Sequence, residues 1–323
     1  MPAENNYRRR TDPAAIYAGG FVGCMLDVPT QPYWARAEAH VAKARYLATA
    51  PRLSLEQQTG QIAGIGKGKR ALPYDAFRAL DPLALTGQQN YGNCTAWSAA
   101  ECAGVVLARL ATDRARPRPW TARPATAVIY AARRHYYDGM ALATAIGSLV
   151  AQGCALMRNY ADQNVDLSDE DEDEWLGKKW GRTRPPRALL DAIADLKLVP
   201  PQPIDADPDA IRDILYCGGA IHCGSTMTAG PYGNPISQLT TPANHAEALI
   251  GYDDTDQMRA RLGLQAGEWV TIWDQSWGHW NVVENWPADL WGPRPEGAFA
   301  LLGADAQRKI AIEAYAYTAF ATP

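Results

Sequence analysis

The chain has 323 residues, enough for one large domain or two closely packed lobes. Its 31 basic and 35 acidic side chains nearly balance, which argues against a nucleic-acid partner and against binding to an anionic membrane surface. No apolar run approaches the length of a membrane span, and the polar residues 1–10 are not followed by the apolar segment of a signal peptide. The six cysteines are scattered, which favours a reducing compartment over a disulfide framework.

Residues 1–68 are predicted to form an N-terminal arm or leader. It contains one amphipathic helix, over residues 33–48, and then a stretch of glycine and basic residues over 60–70 that indicates a flexible joint. Such a leader is typical of an inhibitory prosegment, an assembly arm or a simple extension. A polar arm with little core of its own favours docking on a partner.

Residues 88–98 bring one cysteine to the start of an apolar run with helical spacing. The run predicts a helix over residues 94–110, with Cys94 in its first turn. Unpaired N–H groups and the helix dipole favour a thiolate at that position. Gln88 can place its side-chain amide near the same thiol, as an oxyanion donor must be placed. The alternative is a buried structural cysteine, since free cysteines are among the most buried residues.

The residues that follow predict a mainly helical first lobe. Helices are expected over residues 125–135, 141–152 and 188–196. Between them, residues 167–174 include a run of six acidic side chains, which is usually a solvated loop. The alternative, a calcium site, lacks the glycine and the ligand spacing of an EF-hand loop.

From residue 200 onward the pattern changes to short apolar runs that predict strands. These strands are expected at residues 220–227, 246–252, 269–273 and 298–302, with a further alternating stretch at 309–317. A helical lobe followed by an antiparallel β lobe is an α+β arrangement, with the helix that starts at Cys94 at the seam.

Cys217, His222 and Cys223 are residue types that bind zinc. Their spacing is not that of a zinc site, and no second pair of ligands follows in the sequence. The segment around His222 is therefore interpreted as part of a buried strand. The sequence predicts no metal and no cofactor.

Two later residues supply the partners that a cysteine nucleophile needs. His245 begins one of the predicted strands, and an imidazole there can hold a thiolate and protonate a leaving amine. The imidazole in turn needs a third group to fix its orientation. Gln275 carries an amide oxygen suited to that task, and Trp277 can shield the contact from water.

Together these residues resemble the papain-like cysteine peptidases of the C1 family, in a divergent bacterial or bacteriophage form. In that family a glutamine, a spacer and Gly-x-Cys open the central helix, as Gln88, Gly92 and Cys94 do here. The family's His-Ala…Gly-Tyr strand matches residues 245–252, and its Asn-Ser-Trp-Gly motif corresponds to residues 275–278. Three motifs in this order and spacing make a specific signal.

The resemblance implies a papain-like two-lobe α+β fold over residues 69–303. The helical lobe would span about residues 72–199 and contain the cysteine helix, and an antiparallel, barrel-like β lobe would span about residues 200–303. Residues 304–323 are expected as a strand-like C-terminal extension.

The resemblance also implies the role of each site residue. Cys94 is the nucleophile, His245 the general base and acid, and Gln88, with the Cys94 backbone N–H, forms the oxyanion hole. Gln275 occupies the place of the orienting asparagine and is one methylene longer, so this third member is either adapted or degraded. The implied substrate-binding residues are Gly139, Asn244 and Trp277.

The function expected from these residues is hydrolysis of peptide bonds, in peptide or protein substrates, through a Cys94 thiolate and an acyl-enzyme. The alternative is a structural component of a large assembly, such as a bacteriophage virion, with weak or no catalysis. Such a component would form homo- or hetero-oligomers through residues 1–68 and the C-terminal extension. A third hypothesis is an acyl transferase that uses the same thiol. The expected location is cytoplasmic or virion-associated, with no nucleic-acid and no membrane partner.

Overall fold

The structure, a computed structural model, describes residues 24–50, 53–85, 87, 89–113, 119–135, 137–233, 235–240, 244–276 and 282–321. Within these residues the helices are α1 (Tyr33–Thr49), α2 (Leu55–Thr59), α3 (Tyr74–Leu80), α4 (Cys94–Thr112), α5 (Ala127–Ala131), α6 (Leu142–Ala151), α7 (Glu170–Thr183), α8 (Arg187–Ile193), α9 (Pro208–Tyr216), α10 (Asp256–Leu262), α11 (Ala288–Trp291) and α12 (Gly303–Ile310). The strands are β1 (Cys24–Met25), β2 (Arg70–Ala71), β3 (Met140–Ala141), β4 (Asn159–Tyr160), β5 (Val165–Asp166), β6 (Gln202–Pro203), β7 (Ala220–Ser225), β8 (Thr228–Gly233), β9 (Ser237–Thr240), β10 (His245–Asp253), β11 (Val270–Asp274), β12 (Val282–Val283), β13 (Ala298–Leu302) and β14 (Glu313–Tyr317).

Helix α4 lies at the centre of the main hydrophobic core. It begins at Cys94 as expected, and its first fifteen residues, Cys94 to Ala108, are all buried. Many of them are alanines, so the helix approaches both the sheet strands β7 and β10 and the neighbouring helices α3, α5 and α6 closely. At Gly104 a Cβ atom would lie 2.4 Å from the ring of Phe77 in α3, so only glycine fits there. The sequence pattern therefore identifies the central element correctly.

The β half is an antiparallel sheet whose strands follow the order β13-β11-β10-β7-β14-β6, with β2 pairing with β10. This confirms the α+β class, but the strands that the structure describes form an open sheet and not the barrel-like lobe that was expected. On the face away from α4, helices α9 and α12 cover a second core that contains Ile211, Trp273 and Phe299. Strand β14 lies inside the sheet, between β7 and β6, so the described residues 304–321 add most of the covering helix α12 and an internal strand to it.

The leader packs on the helical half. Helix α1 matches the predicted helix over 33–48 to within one residue and lies against α6 and β3. Its Tyr46 hydroxyl donates a hydrogen bond to the Pro201 carbonyl at 2.5 Å. The expected flexible joint is instead fixed, because the backbone N–H groups of Gly64 and Gly66 donate to the Asp213 carboxylate at 2.6 and 2.7 Å.

The interpretation of the acidic run as a solvated loop is wrong. Asp169 caps a helix, α7, by accepting a hydrogen bond from Glu172 N at 3.0 Å. The helix has an apolar side with buried leucine and tryptophan residues, and on that side Asp173 and Glu174 are only 2% and 1% exposed. Backbone and side-chain donors surround both carboxylates, and this offsets the cost of burying them.

Two further elements have boundaries that differ from the sequence-based expectation. Helix α5 covers only the middle of residues 125–135. The expected strand over 309–317 begins only at Glu313, because Lys309 belongs to the last turn of helix α12. No helix within the described residues is long and apolar enough to cross a membrane.

Candidate active site

Cys94 is the first residue of α4 and is completely buried. Its Sγ accepts a hydrogen bond from the backbone N–H of Ala246 in β10, with a sulfur–nitrogen distance of 3.4 Å. Burial nevertheless raises the pKa of the Cys94 thiol to about 12, more than the hydrogen bonds from Ala246 and Thr95 lower it. Removal from water therefore opposes the thiolate that the helix terminus was expected to favour.

The loop that delivers Cys94 is held by Glu174 of the acidic run. One carboxylate oxygen accepts from Asn93 Nδ2 at 2.8 Å and from Trp97 Nε1 at 2.7 Å. The other accepts from the backbone N–H and the side-chain Nδ2 of Asn90, at 2.9 and 2.7 Å. Burial raises the pKa of Glu174 to about 7 although all these bonds lower it. This carboxylate fixes the turn and the first helical turn on both sides of Cys94.

His245 is the first residue of β10, next to the residue whose N–H contacts Cys94, and it is completely buried. Burial holds the pKa of the imidazole well below its usual range, and the nearby Lys309 ammonium lowers it further. Both effects disfavour the protonated imidazolium in this form. The structure brings Cys94 and the His245 end of β10 together, as the motif order suggested.

Gln275 follows the last residue of β11 and is 1% exposed. Because Ala248 of β10 pairs with Asp274 of β11, the antiparallel register places Gln275 beside the start of β10. Its amide oxygen lies 3.3 Å from the hydroxyl of Thr228 in β8. The third predicted member of the site therefore lies directly after the strand that pairs with β10.

Gln88 and Trp277 lie outside the described residues, but the neighbours of both can be located. The backbone N–H of Gln89 donates to the Ser276 carbonyl at 2.8 Å, and the Ser276 hydroxyl donates to the side-chain oxygen of Gln89. The segment before the cysteine and the segment after Gln275 are thus joined at the site.

The two remaining substrate-binding candidates, Gly139 and Asn244, lie on either side of Cys94. The Gly139 N–H donates to the Gly92 carbonyl at 2.9 Å, and the Asn244 carbonyl accepts from the N–H of Cys24 at 3.2 Å. Gly139 has a φ of 95°, a conformation that favours glycine. Both positions are therefore occupied in contacts within the chain.

Residues 24–31, called the covering segment here, lie over this site. Strand β1 pairs in parallel with β3, directly after Gly139. The side chains of Cys24 and Leu26 point at Gly224 of β7, where a Cβ atom would lie 3.0 and 2.8 Å from them. Gly224 pairs with Ala246, the residue that contacts Cys94, so the covering segment fills the space beside the thiol.

The covering segment is held in shape by one side chain, that of Gln31. Its amide oxygen accepts from Leu26 N at 3.0 Å, and its Nε2 donates to the Cys24 carbonyl at 2.7 Å. All of these groups are buried. Nothing in the sequence singles out this segment, since its strand is only two residues long.

The segment around His222 is a strand, β7, as interpreted from the sequence. The ring Nδ1 of His222 lies 3.2 Å from the Tyr317 hydroxyl. Within the part of the chain that the structure describes, no group of three or more His, Cys, Asp or Glu residues could hold a metal ion.

Sequence reasoning missed three other residues near the site: Thr228, Glu247 and Lys309. Glu247 had a visible signal, because it is a charged residue inside an apolar strand pattern, two positions after His245. Lys309 had no such signal in the sequence, because only the folded chain brings it into contact with Glu247.

Comparison with known proteins supports the fold. No family model matches the chain, and no curated protein matches its sequence. Among solved structures, the ragweed pollen allergen Amb a 11, a cysteine protease in its proform, is 14% identical, with a TM-score of 0.50 over 88% of this chain and 74% of that one. Digestive procathepsin L2 from the larval midgut of Tenebrio molitor is 13% identical, with a TM-score of 0.50 over 95% of this chain and 87% of that one. Xylellain, a cysteine protease from Xylella fastidiosa, is 18% identical, with a TM-score of 0.48 over 81% of this chain and 94% of that one.

Proposed function

We propose that this chain, which has the fold of the papain-like cysteine proteases, hydrolyses peptide bonds with Cys94 as nucleophile and His245 as its base. The observation that carries the proposal is the contact between Ala246 N–H and Cys94 Sγ at 3.4 Å. It joins the His245 end of a sheet strand to the N-terminus of a buried helix. Gln275, on the adjacent strand, supplies the third group.

In the reaction, the imidazole of His245 takes the proton of the Cys94 thiol, and the sulfur attacks the carbonyl carbon of the peptide bond. The oxyanion that forms is stabilised by donors at the start of α4, with the Gln88 amide as the expected second donor. The imidazolium gives its proton to the leaving amine as the carbon–nitrogen bond breaks. Water, deprotonated by the same imidazole, then releases the acid from the thioester.

The form described here is proposed to be closed. The covering segment occupies the backbone positions beside Gly139 and at the Asn244 carbonyl, so a substrate has to displace it. It also keeps water from Cys94, which favours the neutral thiol. The two solved structures with a TM-score of 0.50 are proforms by their titles, which is in keeping with a cover supplied by the leader.

Labelling of the thiol tests the proposed function. The full chain and its Gln31→Ala variant, in which the cover is loosened, are incubated with an epoxide-type thiol inhibitor, and the adduct is located by peptide mass. We expect an adduct at Cys94, formed faster in the variant, and loss of that adduct in His245→Ala. Absence of an adduct at Cys94 in both proteins from acid to neutral pH would support the structural-component alternative.

The acyl-transferase alternative is distinguished from the peptidase by the molecule that accepts the acyl group from Cys94. A peptidase releases the free acid from an ester or peptide substrate with water as the sole acceptor. A transferase accumulates the thioester until an amine or alcohol is supplied.

A further inference from the structure

A buried ion pair lies on the same side of β10 as His245, two positions along the strand. Side chains two positions apart in a strand point to the same face, so Glu247 lies on the His245 face. Glu247 pairs with the Lys309 ammonium of α12, and both side chains are completely buried. The ammonium also donates to the Met227 carbonyl at 2.7 Å. Such a pair gives little net stability, since the cost of desolvating both charges offsets their attraction.

The ion pair is connected to Gln275 through Thr228. The Thr228 hydroxyl donates to a Glu247 carboxylate oxygen at 2.6 Å, and its oxygen lies 3.3 Å from the amide of Gln275. A hydroxyl has a single hydrogen, and an ionised carboxylate can only accept. The Thr228 hydrogen is therefore committed to Glu247, and only the lone pairs of Thr228 are left for Gln275.

This commitment decides which way the Gln275 amide faces. With the amide oxygen towards Thr228, two acceptors would meet, and Gln275 Nε2 would be left without a hydrogen bond to any described residue. The two ends of an amide have nearly the same shape, so hydrogen bonding sets its orientation. When the amide is rotated by a half turn, Nε2 donates to Thr228 and the amide oxygen points away from it.

We propose that Lys309, Glu247 and Thr228 form a relay that positions Gln275, so that its amide oxygen is presented to the imidazole of His245. The direction of donation is Lys309 to Glu247, Thr228 to Glu247, and Gln275 to Thr228. The inference rests on the proposed function, in which Gln275 orients His245. It makes Gln275 an adapted third member, anchored at its nitrogen end, and Thr228 a positioning residue.

The test compares Thr228→Val, which keeps the shape and removes the hydroxyl, with Thr228→Ser, which restores it. Thr271→Val is the matched control, because Thr271 is a buried threonine of strand β11, in the larger sheet, whose hydroxyl donates to the Leu301 carbonyl at 3.1 Å. All three are made in the Gln31→Ala background. The alkylation rate of Cys94 by iodoacetamide is measured against pH, and thermal unfolding is followed in parallel.

An imidazolium that is poorly held stabilises the neighbouring thiolate less, so Thr228→Val should raise the pH at which Cys94 becomes reactive. We expect about a tenfold lower rate below that pH, which corresponds to about one pKa unit. Thr228→Ser should restore the parent profile, and Thr271→Val should keep it even where its melting temperature falls. The relay proposal is wrong if Thr228→Val keeps the parent's pH dependence of Cys94 alkylation, or if Thr271→Val shifts it by the same amount.

A second variant removes the charges together. Replacing both Glu247 and Lys309 by methionine avoids leaving one charge buried alone, so folding is retained better than in either single variant. The relay requires this double variant to shift the Cys94 profile in the same direction as Thr228→Val, with no additive effect when the two are combined. A parent-like or additive result contradicts it. Failure of the proposed function would look different, because the parent itself would show no His245-dependent reactivity at Cys94.

Discussion

Loosening the covering segment should expose the nucleophile, and Gln31→Ala is the mildest way to do so. The Gln31 amide makes two buried hydrogen bonds within the segment, from Leu26 N and to the Cys24 carbonyl. Each is worth about 1 kcal/mol net, so their loss should favour the displaced segment by about 2 kcal/mol. At 1.4 kcal/mol per tenfold, the fraction of open molecules rises about 30-fold.

The assay is alkylation of Cys94 by iodoacetamide, at concentrations where opening and closing are faster than the chemical step. Under that condition the rate follows the open fraction, as proteolysis of a transiently opened state does. Peptide mass separates Cys94 from the other five cysteines. Cys24 lies in the same segment and should gain reactivity in parallel.

The matched control is Gln202→Ala. The Gln202 amide has the same bonding pattern, accepting from Leu53 N at 3.0 Å and donating to the Pro200 carbonyl at 2.9 Å, but lies away from the site. If both variants lose similar free energy of unfolding and alkylate Cys94 at the same rate, the covering segment does not control access to the thiol. A faster rate in Gln31→Ala alone supports the reasoning.

Three further predictions concern stability and packing around the site. Glu174→Ala leaves four donors around the Cys94 turn without their acceptor, so it should lower the free energy of unfolding, measured in urea, by about 3 kcal/mol or more. The control Glu172→Ala, on the exposed side of α7, should change that free energy by less than about 0.5 kcal/mol. Burial raises the pKa of Asp173 to about 6, of Glu174 to about 7 and of Glu101 to about 8, so these groups bind more protons in the folded state than in the unfolded state. The free energy of unfolding should therefore fall as the pH rises from about 4 to 8. A urea midpoint that rises over that range would contradict this prediction. Gly224→Ala places a Cβ 2.5 to 3.0 Å from side-chain atoms of Cys24, Leu26 and Leu142, so it should displace the cover and speed alkylation of Cys94 without unfolding the sheet, as circular dichroism can verify.

The sequence was sufficient for the elements whose hydrophobic period is strong. The apolar run after Cys94 and the short strands around Ile250 and Ile272 are buried on both faces, and their patterns identify them without reference to the rest of the chain. The motif order also predicted that Cys94, His245 and Gln275 belong to one site, and in the structure the residue after His245 contacts Cys94 while the β10–β11 register places Gln275 near the start of β10. These predictions depend on local pattern and on spacing, which a single sequence carries.

What the sequence could not give depends on contacts between distant segments. Lys309 lies 62 residues from Glu247 in the sequence. The two residues meet because α12 packs on the sheet before strand β14 pairs with β7. The run of acids reads as solvent-facing by composition, yet Glu174 is buried because donors from four groups converge on it. Such convergence is a property of the fold and has no periodicity to detect.

The covering segment and the protonation of Cys94 and His245 are linked, because the segment contributes to the burial of the site. Burial raises the pKa of the Cys94 thiol and lowers that of the His245 imidazole, so it disfavours the charged form of both groups. An ion pair between them needs water or fixed dipoles to stabilise it, and beside Gly224, which pairs with Ala246, the space is filled by the apolar and weakly polar side chains of Cys24 and Leu26. Under the proposed function, displacement of the cover by a substrate has two effects. It frees the edge of β3, directly after Gly139, for the peptide backbone, and it restores the polar surroundings in which the His245 imidazole can take the thiol proton.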